Sequence, residues 1–274
     1  MNQNENNTTI TVTQGSPLTC DEILHCESLF ATYWANLQFA LRSAEGLSSQ
    51  FKEHTSLHKD WTNEIEYAMN AATYKFKEVA ARLTVTFANE VQWYIKNRYN
   101  IKCDNFLPQA KNPIEHLTSC WPLIEHITQQ VGHDLTAAGK LQIKQRFQNC
   151  FKQETNPPIL EDNKIGLPCF ASLIGNTLLD EIESGVSRIL LDAICLFFLN
   201  QLRQPWPLQQ QAEIWIHHIN FDIPYSIFDA HHVSLQFYDD GYVTIIFNDT
   251  ETAHRFYKTY ELQGLILGEP KENQ

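Results

Sequence analysis

Residues 233–247 read Val233-Ser-Leu235-Gln-Phe237-Tyr-Asp-Asp-Gly241-Tyr-Val243-Thr-Ile245-Ile-Phe247, and the register of this stretch follows from its pattern alone. Two apolar alternations, Val233, Leu235, Phe237 and Val243, Ile245, Phe247, flank the turn signal Asp239-Asp240-Gly241. A two-residue turn at Asp240-Gly241 would pair Phe237 with Thr244 and Leu235 with Ile246, leaving each face of the hairpin half apolar. A three-residue loop, with Gly241 supplying a left-handed conformation, pairs Phe237 with Val243, Leu235 with Ile245 and Val233 with Phe247. All six apolar side chains then share one face. Asp249 follows as a helix N-cap, and Phe256, Tyr257 and Tyr260 recur at helical spacing on a segment that folds back over that face. The chain is predicted to end in a β-hairpin covered by a helix.

Working outward, Ala212 to Phe221 alternates in part through Ile214, Ile216 and Ile219 and is predicted to add a third strand. Thr177 to about Arg203 reads as a helix carrying Leu178, Ile182, Val186, Ile189 and Leu190 inward, despite Gly185, until Pro205 and Pro207 stop it. The segment 154–168, with Pro157-Pro158 and Gly166, is the predicted linker. Before it, Asp134 caps a helix to about Lys152, and Asn112-Pro113 starts a helix that Trp121-Pro122 breaks or restarts. From Trp61 to about Asn100 there is neither Gly nor Pro, and Ile65, Met69, Ala72, Phe76, Val79 and Leu83 alternate in spacings of four and three. Thr19-Cys20-Asp21-Glu22 forms a capping box for a first helix with Ile23, Cys26, Phe30, Trp34, Leu37 and Leu41 on one stripe, ended by Gly46. Together these signals predict an α+β protein, mostly helical, with a small antiparallel sheet and covering helix at the C-terminus. Its parts are a disordered 1–18, a helical 19–153 built on a long α-hairpin, the linker, an α+β region 169–267 and a disordered 268–274.

Seven cysteines stand at wide spacings with no CxxC pair, and Met1 to Thr19 has neither a basic start nor an apolar run. The expectation is a cytoplasmic protein with reduced thiols and no membrane segment, since the most apolar run, Ile189–Leu199, is short and contains Asp192. The net charge of −12 is segregated: −6 over residues 1–70, +4 over 71–160, −3 over 161–204 and −7 over 205–274. Global acidity opposes non-specific attraction to nucleic acid or anionic lipid and suits nucleic-acid mimicry, whereas the basic middle leaves room for a local cationic stripe.

Two constellations carry ingredients for chemistry. His217, His218, Asp222, Asp229, His231 and His232 are the residue types that zinc, manganese or iron would need in a metal-dependent hydrolase or nuclease, although adjacent residues in a strand point to opposite faces. The plain alternative places them at sheet edges, turns and caps. Lys75, Lys77, Arg82, Trp93, Lys96 and Arg98 combine cations for phosphate with an aromatic ring for base stacking, as a nucleic-acid-binding module would. The plain alternative is a solvated helix face, since Lys75, Arg82 and Lys96 differ by multiples of seven. There is no glycine-rich phosphate loop, no GxSxG and no HExxH, and no motif implies a cofactor.

The hairpin and helix, Leu235-Gln-Phe237-Tyr-Asp-Asp-Gly241-Tyr-Val243-Thr-Ile245-Ile-Phe247 with Phe256 and Tyr260, resemble the C-terminal end of a domain family of unknown function. That family is found in bacterial mobile islands, plasmids and prophages, with some members fused to DNA methyltransferases. The long helix running into Trp93-Tyr94 and Tyr99-Asn100 resembles the family's middle. Where the family's turn is typically Lys-Asn-Gly-Asn followed by a histidine in the second strand, this chain has Asp239-Asp240-Gly241-Tyr242 and Thr244, so no site residue carries over. The resemblance implies a setting in mobile bacterial DNA. The expected function is a non-enzymatic interaction protein of a mobile element or phage acting on host proteins or defence machinery, with nucleic-acid binding as the alternative and metal-dependent hydrolysis as a third.

Overall fold

The structure is a computed structural model and describes residues 16–53, 59–106, 117–151, 157–168, 186–205, 208, 221–228, 233–238 and 242–265. Twelve elements are described: α1 (Cys20–Glu53), α2 (Lys59–Tyr99), α3 (Trp121–Val131), α4 (Leu135–Phe151), β1 (Ile159–Glu161), β2 (Lys164–Pro168), α5 (Val186–Leu199), β3 (Tyr225–Phe228), β4 (Val233–Phe237), β5 (Tyr242–Ile246), α6 (Thr250–Thr259) and a 3-10 turn (Leu262–Leu265). This is the predicted α+β class. The chain divides into two units, one containing Met1–Asn97 and Lys102–Leu135, the other Arg98–Ile101 and Thr136–Gln274.

In the first unit the capping box forms as predicted. The Thr19 N–H donates to Glu22 Oε2 at 2.9 Å and the Glu22 N–H to Thr19 Oγ1 at 3.4 Å, so α1 starts at Cys20. Leu18, in the segment expected to be disordered, is buried. The buried line is Ile23, Cys26, Tyr33, Leu37, Ala40 and Ala44, so Tyr33 takes the central place expected of Trp34. Tyr33 stacks on Phe87 of α2 at 4.5 Å between centroids, and its hydroxyl lies 3.1 Å from that of Thr84. Gly46 does not end α1, which runs on to Glu53. A glycine inside a helix costs less than about 1 kcal/mol relative to alanine and stops nothing unless the backbone turns left-handed there.

The buried residues of α2 are Ala80, Thr84, Phe87, Ala88, Val91, Gln92 and Ile95, with Tyr99 at its end. The predicted 4-3 stripe lies upstream and to one side of them: Ile65 and Val79 are exposed and Met69, Ala72, Phe76 and Leu83 only half-buried. Buried Gln92 anchors the chain that follows α2, its amide donating to the Phe106 carbonyl at 3.0 Å and accepting the Phe106 N–H at 2.5 Å. The helix start expected at Asn112-Pro113 lies outside the described residues. Trp121-Pro122 does open α3, with proline in the first turn where no intrahelical donor is needed.

The second unit is built on a five-stranded antiparallel sheet of order β1-β2-β5-β4-β3. The predicted hairpin register is present, with Phe237 opposite Val243 and Leu235 opposite Ile245. Tyr238 N–H donates to the Tyr242 carbonyl at 2.9 Å, closing the ladder on either side of residues 239–241. Val233, Leu235, Val243, Ile245 and Phe247 are all buried, and each large aliphatic one gains about 2 kcal/mol by leaving water. Asp249 caps α6 through a 2.7 Å bond from the Thr252 N–H, and Phe256 and Tyr260 of that helix meet Phe147 of α4 at 5.7 and 4.7 Å.

Two expectations are corrected by the structure. The segment 154–168 is not a linker, because residues 159–161 and 164–168 are β1 and β2, and β2 is fully paired to β5. Pro157 and Pro158 precede an edge strand, where a missing N–H is tolerated, and Asp162-Asn163 makes the turn, Asp162 at φ 47°. The boundary expected at 153 moves, because Phe147 and Phe151 of α4 lie in the core of the second unit. The strand beside β4 is Tyr225–Phe228, whereas residues 212–220 of the predicted strand lie outside the described residues. Of the helix predicted from Thr177, Val186–Leu199 is α5, and its upstream part also lies outside them.

Gly139 of α4 meets backbone rather than solvent. A Cβ there would stand 2.1 Å from the Tyr99 carbonyl oxygen and 3.2 Å from a Leu202 methyl, whereas one at Gly46 would meet nothing within 4 Å. Gly139→Ala is therefore expected to destabilise the chain by about 3 kcal/mol through overpacking, and Gly46→Ala to stabilise it by about 0.8 kcal/mol. Urea denaturation of both variants checks this opposite pair of signs.

Candidate functional site

The cationic constellation on α2 is only partly assembled. At 3.6 residues per turn, Lys75, Arg82, Trp93 and Lys96 fall within about 60° of one another around the helix, while Lys77 and Arg98 fall well outside that sector. Lys75 Nζ and Arg82 Nη2 both donate to Glu78, at 3.1 and 2.6 Å. The hydrogen bond from Lys75, then the charges of Lys75 and Arg82, hold the Glu78 carboxyl below its usual range. Glu78 is partly exposed and both of its partners are exposed, so this network fixes side-chain direction more than it stabilises. Lys96 Nζ donates to the Cys103 carbonyl at 2.5 Å and to Asn105 Oδ1 at 2.6 Å, and so fastens the chain that follows α2. Trp93 is 67% exposed.

Of the metal-ligand candidates, His217, His218, Asp229, His231 and His232 lie outside the described residues, and Asp222 is exposed in the turn before β3. Among the described residues no group of three or more His, Cys, Asp or Glu could hold a metal ion.

A polar centre that sequence reasoning missed lies inside the second unit. Asp192, in the most apolar of the described helices, is 4% exposed. Gln204 Nε2 donates to Asp192 Oδ1 at 2.9 Å and to the Arg188 carbonyl at 3.0 Å. Asn100, at φ 54° immediately after α2, donates from its amide to the Leu202 carbonyl at 2.7 Å. Arg146 Nη2 in turn donates to the Asn100 Oδ1 and carbonyl oxygens at 2.7 and 3.0 Å. Burial pushes the Asp192 carboxyl above its ordinary value, opposed by hydrogen bonds from Asn100 and Gln204 and by the charges of Arg146 and Arg188. Burial also draws the Arg146 guanidinium below its ordinary value, opposed by Asp192. Desolvation is thus the larger influence on both partners.

Nearby, the Cys195 thiol is pushed up to about 12, first by burial and then by the Asp192 charge, and the Tyr260 phenol is raised by burial and then by Cys195 and Asp192, while donating to the Ala193 carbonyl at 2.6 Å. Cys26 and Cys120 of the first unit are pushed up to about 11 and about 12 by burial and neighbouring carboxylates. These thiols stay protonated at neutral pH and lack the thiolate character of a nucleophile. The Asp192 centre holds chain segments together and offers no open face to a substrate. Two signals pointed to it in the sequence: a carboxylate inside an apolar run, and an asparagine where α2 must stop without glycine.

Comparison with protein-family models, with curated proteins and with solved structures gives no match. The functional reading therefore rests on the chain's own surfaces.

Arg146→Ala is expected to cost about 3 kcal/mol, because it strips the donors from Asn100 and removes one of the two cations, Arg146 and Arg188, that oppose the burial of the Asp192 carboxyl. The folded-state pKa of Asp192 lies above its unfolded value. Its contribution to stability is therefore fully present below the unfolded value and is lost as pH rises through the folded one. Asp192→Asn removes that loss, so its stability relative to wild type should rise as pH climbs above the ordinary carboxyl value of about 4, and level off once the folded-state carboxyl has also ionised. Urea titrations across that range test the sign; a relative stability that falls with pH would show that the Arg146 charge outweighs burial.

Proposed function

We propose that this chain is a non-enzymatic interaction protein of a bacterial mobile element or phage, acting on host proteins or their defence machinery. The observation that carries the interaction reading is the apolar surface of α2. Tyr67, Tyr74 and Trp93 are 80%, 67% and 67% exposed, on the helix that also supplies the first unit's core. Single exposed apolar side chains are ordinary, but several large rings on one helix mark a surface suited to a partner. The mobile-element setting rests on the resemblance of the hairpin and helix at 233–260.

Nucleic-acid binding is less favoured, because Lys77 and Arg98 fall outside the sector of α2 shared by Lys75, Arg82 and Trp93, and Lys96 is engaged by a backbone carbonyl, which leaves few cations on one track for phosphates. Tagged chain passed over a bacterial lysate should retain a defined host protein, and raising the salt from about 50 to about 200 mM should weaken that retention only modestly, as suits apolar contact with a charged rim. Retention of nucleic acid that collapses over the same range, or of nothing above background, would sink the reading.

A further inference from the structure

The charge around the exposed surface of α2 takes the interaction reading one step further, and this inference rests on that reading. Tyr67, Tyr74 and Val85 are seven and eleven residues apart, which places them within about 20° of one another around the helix and along about 27 Å of it. All three are exposed. Glu78 stands on the same line, Lys75 and Arg82 flank it about 60–80° to one side, and Lys77 flanks it about 80° to the other. The half-buried Met69, Ala72, Phe76 and Leu83 lie on the opposite side. Between residues 65 and 85, α2 is thus apolar on two opposing faces, the pattern of a helix that lies between two neighbours.

Charge decides what the outer neighbour should be. Residues 67–85 carry three basic residues and one acidic one, a local +2 in a chain of −12. We propose that this face docks an acidic amphipathic helix of a protein partner, its apolar side chains lying between Tyr67 and Tyr74 and its carboxylates reaching Lys75, Arg82 and Lys77. A stripe with spacings of seven and eleven residues, running nearly along the helix axis, matches the ridge of another helix. Glu78, bonded to both Lys75 and Arg82, holds these cations beside the stripe. A second copy of the chain would set the same cations against each other in a two-fold contact. A nucleic-acid backbone would meet the Glu78 carboxylate on the line it must follow.

Site-specific photo-crosslinking tests the proposal on the full chain, with benzoylphenylalanine at Tyr67 or Tyr74 in bacterial cells and at exposed Leu24 of α1 as control. The expected result is that positions 67 and 74, but not 24, crosslink to one protein segment with apolar residues at alternating three and four spacing and a net negative charge. The Lys75→Glu/Arg82→Glu variant, altered only at exposed positions, should lower that yield by about tenfold or more. Crosslinks to nucleic acid, to a second copy of the chain or to a basic or aperiodic segment would each overturn the proposal, as would no crosslink at either position. If the lysate partner is still retained by Tyr67→Ser/Tyr74→Ser, the interaction reading stands and this face is wrong; if wild type retains none, the interaction reading itself fails.

Discussion

The second unit depends on one row of side chains that crosses all five strands. Leu160 is opposite Ile165, Ile165 opposite Ile245, Ile245 opposite Leu235, and Leu235 opposite Tyr225. Partners directly opposite share a face, so the row is continuous, and its three central members are fully buried. The β4–β5 hairpin sets the register, and the outer strands add to it. A slip of one residue at any of the four ladders would turn a buried strand face outward, which is why this register is unique. The aromatic cluster of Phe147, Phe151, Phe256 and Tyr260 belongs to the same core.

What the sequence disclosed follows from which signals are local. The hairpin was legible because alternation of period two and a glycine turn admit one register that sets all six apolar residues on one face, five of them buried and Phe237 partly so. The capping boxes and caps were legible because Thr19 with Glu22, and Asp249 with Thr252, act across three residues. The strands at 159–168 were hidden by the residues that end elements elsewhere: Pro157-Pro158 and Gly166 are punctuation in isolation, yet acceptable beside an edge strand and in a ladder with open space. The α2 stripe shows the converse failure. Its 4-3 spacing fixes which residues share a side of the helix, but burial is decided by what lies opposite, and that information is not in the helix.

The candidate surface was half legible. Lys75, Glu78 and Arg82 are spaced three and four apart, so their mutual pairing could have been read from sequence, and it changes a cationic patch into a braced one. Tyr67 and Tyr74 escaped notice because they sit off the main apolar stripe. The Asp192 centre was beyond reading in full, since Asn100, Arg146, Asp192 and Gln204 are brought together from four separate stretches of chain.

Asn100 also bears on how the molecule can be divided. The last turn of α2 and the left-handed residue after it belong to the second unit, held there by Arg146 and the Leu202 carbonyl, while the chain on either side belongs to the first. The polypeptide therefore leaves the first unit, contributes four residues to the second and returns. No single cleavage yields both units whole. Either fragment made by one cut loses a strap or keeps a foreign one, so inheritance or exchange of these units as separate whole cassettes would require three breakpoints rather than one.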